Sequence, residues 1–141
     1  MYNEKEKMYI VCDELLLKTQ RDNIIIMHDT YNDEYYRLLR NAKAVVIFLD
    51  NENISSGQLV ILQAMQLKVP IVVSKSNALQ DYVINNVNAL IIDKSEVALA
   101  KALHKLKEEP ELRKKLISNG YKLWKEKYSF KSLAEQVNKF L

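Results

Sequence analysis

Short apolar runs alternate along the chain with polar loops and amphipathic stretches. Met8-Tyr9-Ile10-Val11-Cys12, Ile24-Ile25-Ile26-Met27, Ala44-Val45-Val46-Ile47-Phe48-Leu49, Ile71-Val72-Val73 and Ala89-Leu90-Ile91-Ile92 are β-branched or apolar on both faces. That pattern predicts buried parallel strands. Between them the period changes. Leu15 to Gln20 suits a short helix. Asn32 or Asp33 caps a helix on which Tyr35, Leu38 and Leu39 fall at i, i+3, i+4. Leu59, Leu62, Met65 and Gln66 follow a helical spacing, with Ala64 allowing close approach to a sheet. Ser55 and Ser56 before Gly57 can cap that helix, and Pro70 ends it. Ala78 to Ile84 predicts a short helix, and Asn85-Asn86-Val87-Asn88 a turn in which asparagine tolerates left-handed backbone. Ser95 caps a helix bearing Val97, Leu99, Leu103 and Leu106, to about Glu108. Pro110 suits the first position of a helix whose buried side carries Leu112, Leu116 and Trp124. Ser129 caps the last helix, with Leu133, Val137 and Leu141 at i, i+4, i+8.

Strands alternating with helices predict an α/β fold with a doubly wound parallel sheet. The expected sheet is five-stranded and Rossmann-like, in the order 2-1-3-4-5, within a single domain over residues 1–141. Its centre is one unit: the strand ending at Asp50, the loop Asp50–Ser56, the helix after Gly57, and the strand after Pro70. In such units ligands sit at the loop leaving the carboxyl end of the first strand. With Met8–Cys12 beside Ala44–Leu49, the switch point is flanked by Asp13 and that loop, and a pocket is expected there.

Composition narrows the class. Hydrophobic residues at 48% of 141 suffice for a core, and no run nears the roughly 18 apolar residues of a membrane span. Met1–Lys5 lacks the order of a secretory signal, which predicts a cytoplasmic protein. Cys12, the single cysteine, reads as a buried thiol or a reactive one. His28 and His104 are far apart, so no metal site is expected. A net charge of +3 argues for no nucleic-acid partner. The excess is local, between Lys101 and Lys127. It is either a solvated helical face or a patch for an anionic membrane or substrate. His28 is structural or catalytic. Asp13 and Glu14 either face a ligand or favour a helix N-terminus. Tyr31, Tyr35 and Tyr36 either stack a base or pack. No Ser-His-Asp or paired-carboxylate arrangement can be assembled.

One longer pattern is specific. Gln58-Leu59-Val60-Ile61-Leu62-Gln63-Ala64-Met65, then Val69-Pro70-Ile71-Val72 and Ser74, resembles the C-terminal nucleotide-binding half of retaining glycosyltransferases. These are the GT-B fold enzymes of the group 1, or family-4, type. Tyr35 to Val46, Leu90-Ile91-Ile92, Ala98 to Leu103, Glu109 to Arg113 and Tyr128-Ser129-Phe130 extend the resemblance over roughly residues 8–141. It implies a nucleotide-sugar as donor substrate, with no further cofactor, and transfer of a hexose to a cell-envelope or lipid-linked glycan. By the resemblance, Ser55 and Gln63 stand where the family has two glutamates, on donor sugar and ribose. Gly57, Gln58, Asn77, Ala78 and Asp81 fall in its nucleotide- and phosphate-binding positions. Asn77 and Ala78 replace a glycine pair, and Asp81 a longer acid. Gln63 can still bond a ribose hydroxyl but carries no charge. Glycines expected near Lys68, Asn86 and Ala89 are also replaced. The acceptor-binding domain and the first strand–helix unit of the donor domain have no counterpart, so the resemblance is to an N-terminally truncated domain. It implies either an enzyme working with a separately encoded acceptor domain, a degenerate binding or regulatory subunit that self-associates or joins a partner, or a remnant.

Overall fold

The structure is a computed structural model that describes residues 7–12, 24–28 and 33–141. The expectations for Asp13, Glu14, the helix Leu15–Gln20, Tyr31 and Asn32 lie outside the described residues, as do the side-chain readings of Cys12 and His28. The chain divides into two compact units that meet in sequence between Leu38 and Leu39.

In the first unit, β1 (Met8–Cys12) and β2 (Ile24–His28) pair in parallel, Met8 opposite Ile24 through Cys12 opposite His28. Helix α1 (Asp33–Asn41) follows and runs across the unit boundary. It buries Tyr35 and Leu39, two of the three residues of the expected stripe.

The second unit holds β3 (Val45–Ile47), α2 (Gln58–Gln66), β4 (Ile71–Ser74), β5 (Leu90–Ile92), α3 (Glu96–Glu108), α4 (Pro110–Leu123) and α5 (Phe130–Asn138). β4 pairs in parallel with β3 on one side and β5 on the other. All four β4 residues are buried, as a central strand covered on both faces requires. Val72 packs with Leu90, Ala102, Leu106 and Leu116, so α3 and α4 cover that face. Strand alternation sends Ile47 to the opposite face. There the start of α2 approaches so closely that a Cβ on Gly57 would lie 3.2 Å from Ile47 Cγ2. Helices on both faces of a parallel sheet make this an α/β, Rossmann-like layer arrangement.

The ladders run β1-β2 and β3-β4-β5. A β1–β3 ladder, which one five-stranded sheet in the order 2-1-3-4-5 needs, is not among them. Each sheet belongs to its own compact unit, and β3 pairs over only three residues.

Four local expectations are corrected. The two serines do not cap α2; Gly57 is itself the cap, at φ 82°. The buried face of α2 is Ile61, Ala64 and Met65, while Leu59 and Gln66 are exposed. Gln58, Gln63 and Gln66 share one arc of the helix, and Leu59 lies among them, opposite the buried residues. The helix expected from Ala78 is only a 3-10 turn, Asn77–Leu79. Beyond it the buried Asn88 takes the backbone groups a helix would use: its Nδ2 donates to Tyr82 O (2.9 Å) and its Oδ1 accepts from Ile84 N (2.7 Å). Finally, α4 does not run through Trp124 but gives way to a π-helical turn, Trp124–Tyr128.

Other sequence signals hold. Ser95 and Ser129 cap α3 and α5 through their side chains, and Pro110 opens α4. Asn86 adopts the left-handed conformation.

Candidate functional site

The carboxyl ends of β3, β4 and β5 converge on one rim. After β3 the chain enters the exposed loop Asp50–Ser56. Its start is tied to the next strand, because Leu49 N donates to the buried Ser74 Oγ at 3.0 Å. Two ion pairs cross the rim. Lys94 Nζ meets Asp50 Oδ1 at 2.5 Å, and Lys75 Nζ meets Asp93 Oδ1 at 2.6 Å. The hydrogen bond and charge of Lys94 hold the Asp50 carboxyl below its usual value. Asp93, with a smaller contribution from Glu52, raises the Lys75 ammonium.

The loop and the turn after β4 are brought together by hydrogen bonds. Asn77 N donates to Glu52 O at 2.9 Å and Ala78 N to the same oxygen at 3.4 Å. Ser76 Oγ also donates to Glu52 O (3.1 Å), and Asn77 Nδ2 to Asn53 Oδ1 (2.9 Å). Ser76 Oγ in turn accepts from Ala78 N at 3.2 Å. The two N–H groups at the start of this turn are therefore occupied by the neighbouring loop. These are the donors that the resemblance assigns to phosphate.

The remaining expected site residues scatter around this clasp. Ser55 is exposed and accepts a hydrogen bond from Gln58 Nε2. Gly57 opens α2. Gln63 lies within α2, half-buried. Asp81 is exposed, and its backbone oxygen accepts from Tyr128 OH at 3.3 Å. Tyr128 stacks on Tyr82 with ring centroids 5.3 Å apart. Burial pushes the Tyr128 phenol up, with smaller effects from Tyr82 and Asp81. The sequence reading singled out neither Glu52 nor Ser76. Ser76 could have been read as a turn cap from its place before Asn77. A backbone carbonyl such as that of Glu52 leaves no sequence signal.

A parallel sheet flanked by helices, with a polar loop and turn at its carboxyl edge, places the second unit among Rossmann-like α/β domains. Residues 4–123 match the model of the family described as Glycosyl transferases group 1, and the chain belongs to that family. Solved structures agree on the fold. The sucrose-phosphate synthase of Thermosynechococcus elongatus aligns with a TM-score of 0.66 at 22% identity, over 84% of this chain and 29% of that one. Anabaena HepE, in complex with UDP, aligns at 0.67 and 15% identity, over 84% and 32%. The C-terminal domain of the group 1 family protein LpcC from Francisella tularensis aligns at 0.58 and 24%, over 77% and 55%. The chain thus spans about a third of the length of the first two. A comparison with curated protein sequences gave no match.

Proposed function

We propose that this chain is the nucleotide-sugar-binding part of a retaining glycosyltransferase, silent by itself and dependent on an acceptor domain supplied separately. The family membership supports transfer of a sugar from a nucleotide donor. The UDP held by HepE makes UDP-sugars the first donors to test. The proposed acceptor is a cell-envelope or lipid-linked glycan. The basic stretch Lys101–Lys127 would face the anionic surface on which such a substrate sits.

The observation that carries this reading is the clasp between Glu52 and the turn at Asn77 and Ala78. By the resemblance, Asn77 and Ala78 hold the diphosphate positions, and the clasp occupies their N–H groups. Binding a donor means exchanging three or four exposed hydrogen bonds, each worth on the order of 0.5–1 kcal/mol net. The affinity that remains is weak, with a dissociation constant on the order of 1 mM, about −4 kcal/mol. Weakening the clasp with Asn53→Ala and Ser76→Ala together, which removes its side-chain bonds, should tighten UDP-sugar binding by about threefold to tenfold, since less of the population is closed. Calorimetric or NMR titration measures this. Unchanged affinity in the double variant would argue against the clasp as the barrier.

The same observation favours a second reading, a non-catalytic binding or regulatory subunit. Ser55 and Gln63 lack the charge that transition-state stabilisation asks of such positions. The two readings part on one result. Adding an acceptor domain restores turnover in the first and leaves it absent in the second.

A further inference from the structure

An open groove of about 760 Å³ lies between the end of α4, the π-helical turn and α5. Small-molecule sites span roughly 300–1,000 Å³. None of its lining residues belongs to the loop Asp50–Ser56 or to the turn after β4. Two of them are a stacked aromatic pair: the rings of Tyr121 and Trp124 have centroids 5.7 Å apart and planes 30° from parallel. The pair stands on a fixed base. α4 approaches α2 so closely that a Cβ on Gly120 would lie 3.3 Å from Met65 Cγ, and the Lys68 ammonium sits over the Tyr121 ring. The second wall is fixed too. Ser129 Oγ donates to Lys125 O at 2.8 Å and Ser132 Oγ to Glu126 O at 2.6 Å, which ties the head of α5 to the π-helical turn. α5 turns Lys131, Ser132 and Glu135 to the groove. Its exposed Phe130, Leu133 and Val137 lie on the opposite arc, so a partner on those apolar residues meets the side of α5 away from the groove.

The groove holds unused hydrogen-bonding groups of both kinds. Among the described residues, the half-buried Trp124 indole N–H, the Ser118 hydroxyl and the carboxylates of Glu126 and Glu135 have no hydrogen-bond or ion-pair partner. An indole only donates and a carboxylate only accepts. A ligand that satisfies both must carry several groups that do either, as sugar hydroxyls do. The C–H face of a pyranose ring also suits the negative face of an aromatic ring. A nucleotide fits less well, because its phosphate has no proton to offer two carboxylates and is repelled by them. Lys122, Lys125 and Lys131 against those two glutamates leave the lining near neutrality, which favours an uncharged ligand.

We propose that this groove is a carbohydrate subsite. It takes a neutral hexopyranose unit of an oligosaccharide, with the C–H face of the ring on Trp124 and its hydroxyls on Ser118, Glu126 and Glu135. This goes beyond the donor reading and does not rest on it, since sugars without a nucleotide test it alone.

Trp124 is the only tryptophan of the chain, so intrinsic fluorescence reads the groove directly. The whole chain is titrated with neutral di- and trisaccharides of glucose, galactose, mannose and N-acetylglucosamine, and separately with inorganic phosphate and UMP. At least one neutral sugar should change the Trp124 emission saturably in the millimolar range. Ser118→Ala with Glu135→Ala should weaken that sugar about tenfold. Both side chains are exposed, so the circular dichroism spectrum should stay unchanged. Two outcomes overturn the proposal. One is no saturable change with any neutral sugar; a response to phosphate or UMP alone would then make the groove an anion site. The other is unchanged sugar affinity in the double variant, which places binding outside the groove.

Discussion

Lys68 shows how a missing glycine is compensated. It follows α2 with φ 59°. Lys68 N donates to Met65 O (3.2 Å) and Val69 N to Ala64 O (2.9 Å), the bond pair of a Schellman helix end. Glycine is the usual residue there, because a side chain in left-handed backbone costs roughly 1 kcal/mol. The ammonium offsets part of that cost by sitting 4.5 Å from the centre of the Tyr121 ring, a contact worth about 0.5–1 kcal/mol when exposed. Lys68→Ala keeps the strain and loses the contact, so it should destabilise by about 0.5–1 kcal/mol. Lys68→Gly removes both and should be the more stable of the two by about 1 kcal/mol. Urea unfolding of the pair measures this; equal stabilities would contradict it. Gly57 has no such freedom. Gly57→Ala combines φ 82° with a Cβ 3.2 Å from Ile47 Cγ2, and should cost about 1–3 kcal/mol.

At the scale of elements, the rim pairs tie three strand ends together. The sign of their pH dependence follows from their shifts. Asp50 lies below its ordinary 3.8 in the folded chain. Its contribution is therefore present above the unfolded value and lost as pH falls through the folded one. Lys75 is raised above 10.5. Its contribution is present below that value and lost as pH rises through the folded one. Lys94→Ala should thus lower the melting temperature at neutral pH, with the difference from wild type shrinking as the medium is acidified past about pH 3.8. A difference that grew in acid would contradict the assignment. The elements themselves were largely legible: all five strands, the caps at Ser95 and Ser129, and Pro110 at the head of α4. What was not legible depended mostly on contacts distant in sequence. Asn88 truncates a helix it does not belong to. The buried face of α2, Ile61, Ala64 and Met65, lies opposite the arc of its three glutamines. The spacing of Leu133, Val137 and Leu141 gives the stripe of α5 but not its direction, which Ser132 sets by bonding inward.

At the scale of the molecule, the site residues were placed by resemblance and the structure shows what surrounds them. Asn77 and Ala78 lie at the head of a turn at the sheet's carboxyl edge, where a ligand would be expected. Their N–H groups are engaged by Glu52, a bond that no residue type announces. If Ser55 and Gln63 stand where the resemblance puts two acids, donor recognition of the proposed kind survives weakly and turnover requires a second component. Catalysis needs groups fixed on both sides of the reacting bond. NMR titration of the whole chain with a panel of nucleotide-sugars, followed by assay of the same samples for hydrolysis and transfer, tests this most directly. Weak, saturable shifts centred on Glu52, Asn53 and Ser76 to Ala78, a dissociation constant on the order of 1 mM, and no product are expected. Micromolar binding that leaves those amides unmoved, or turnover by the chain alone that is lost on Gln63→Ala, would contradict it.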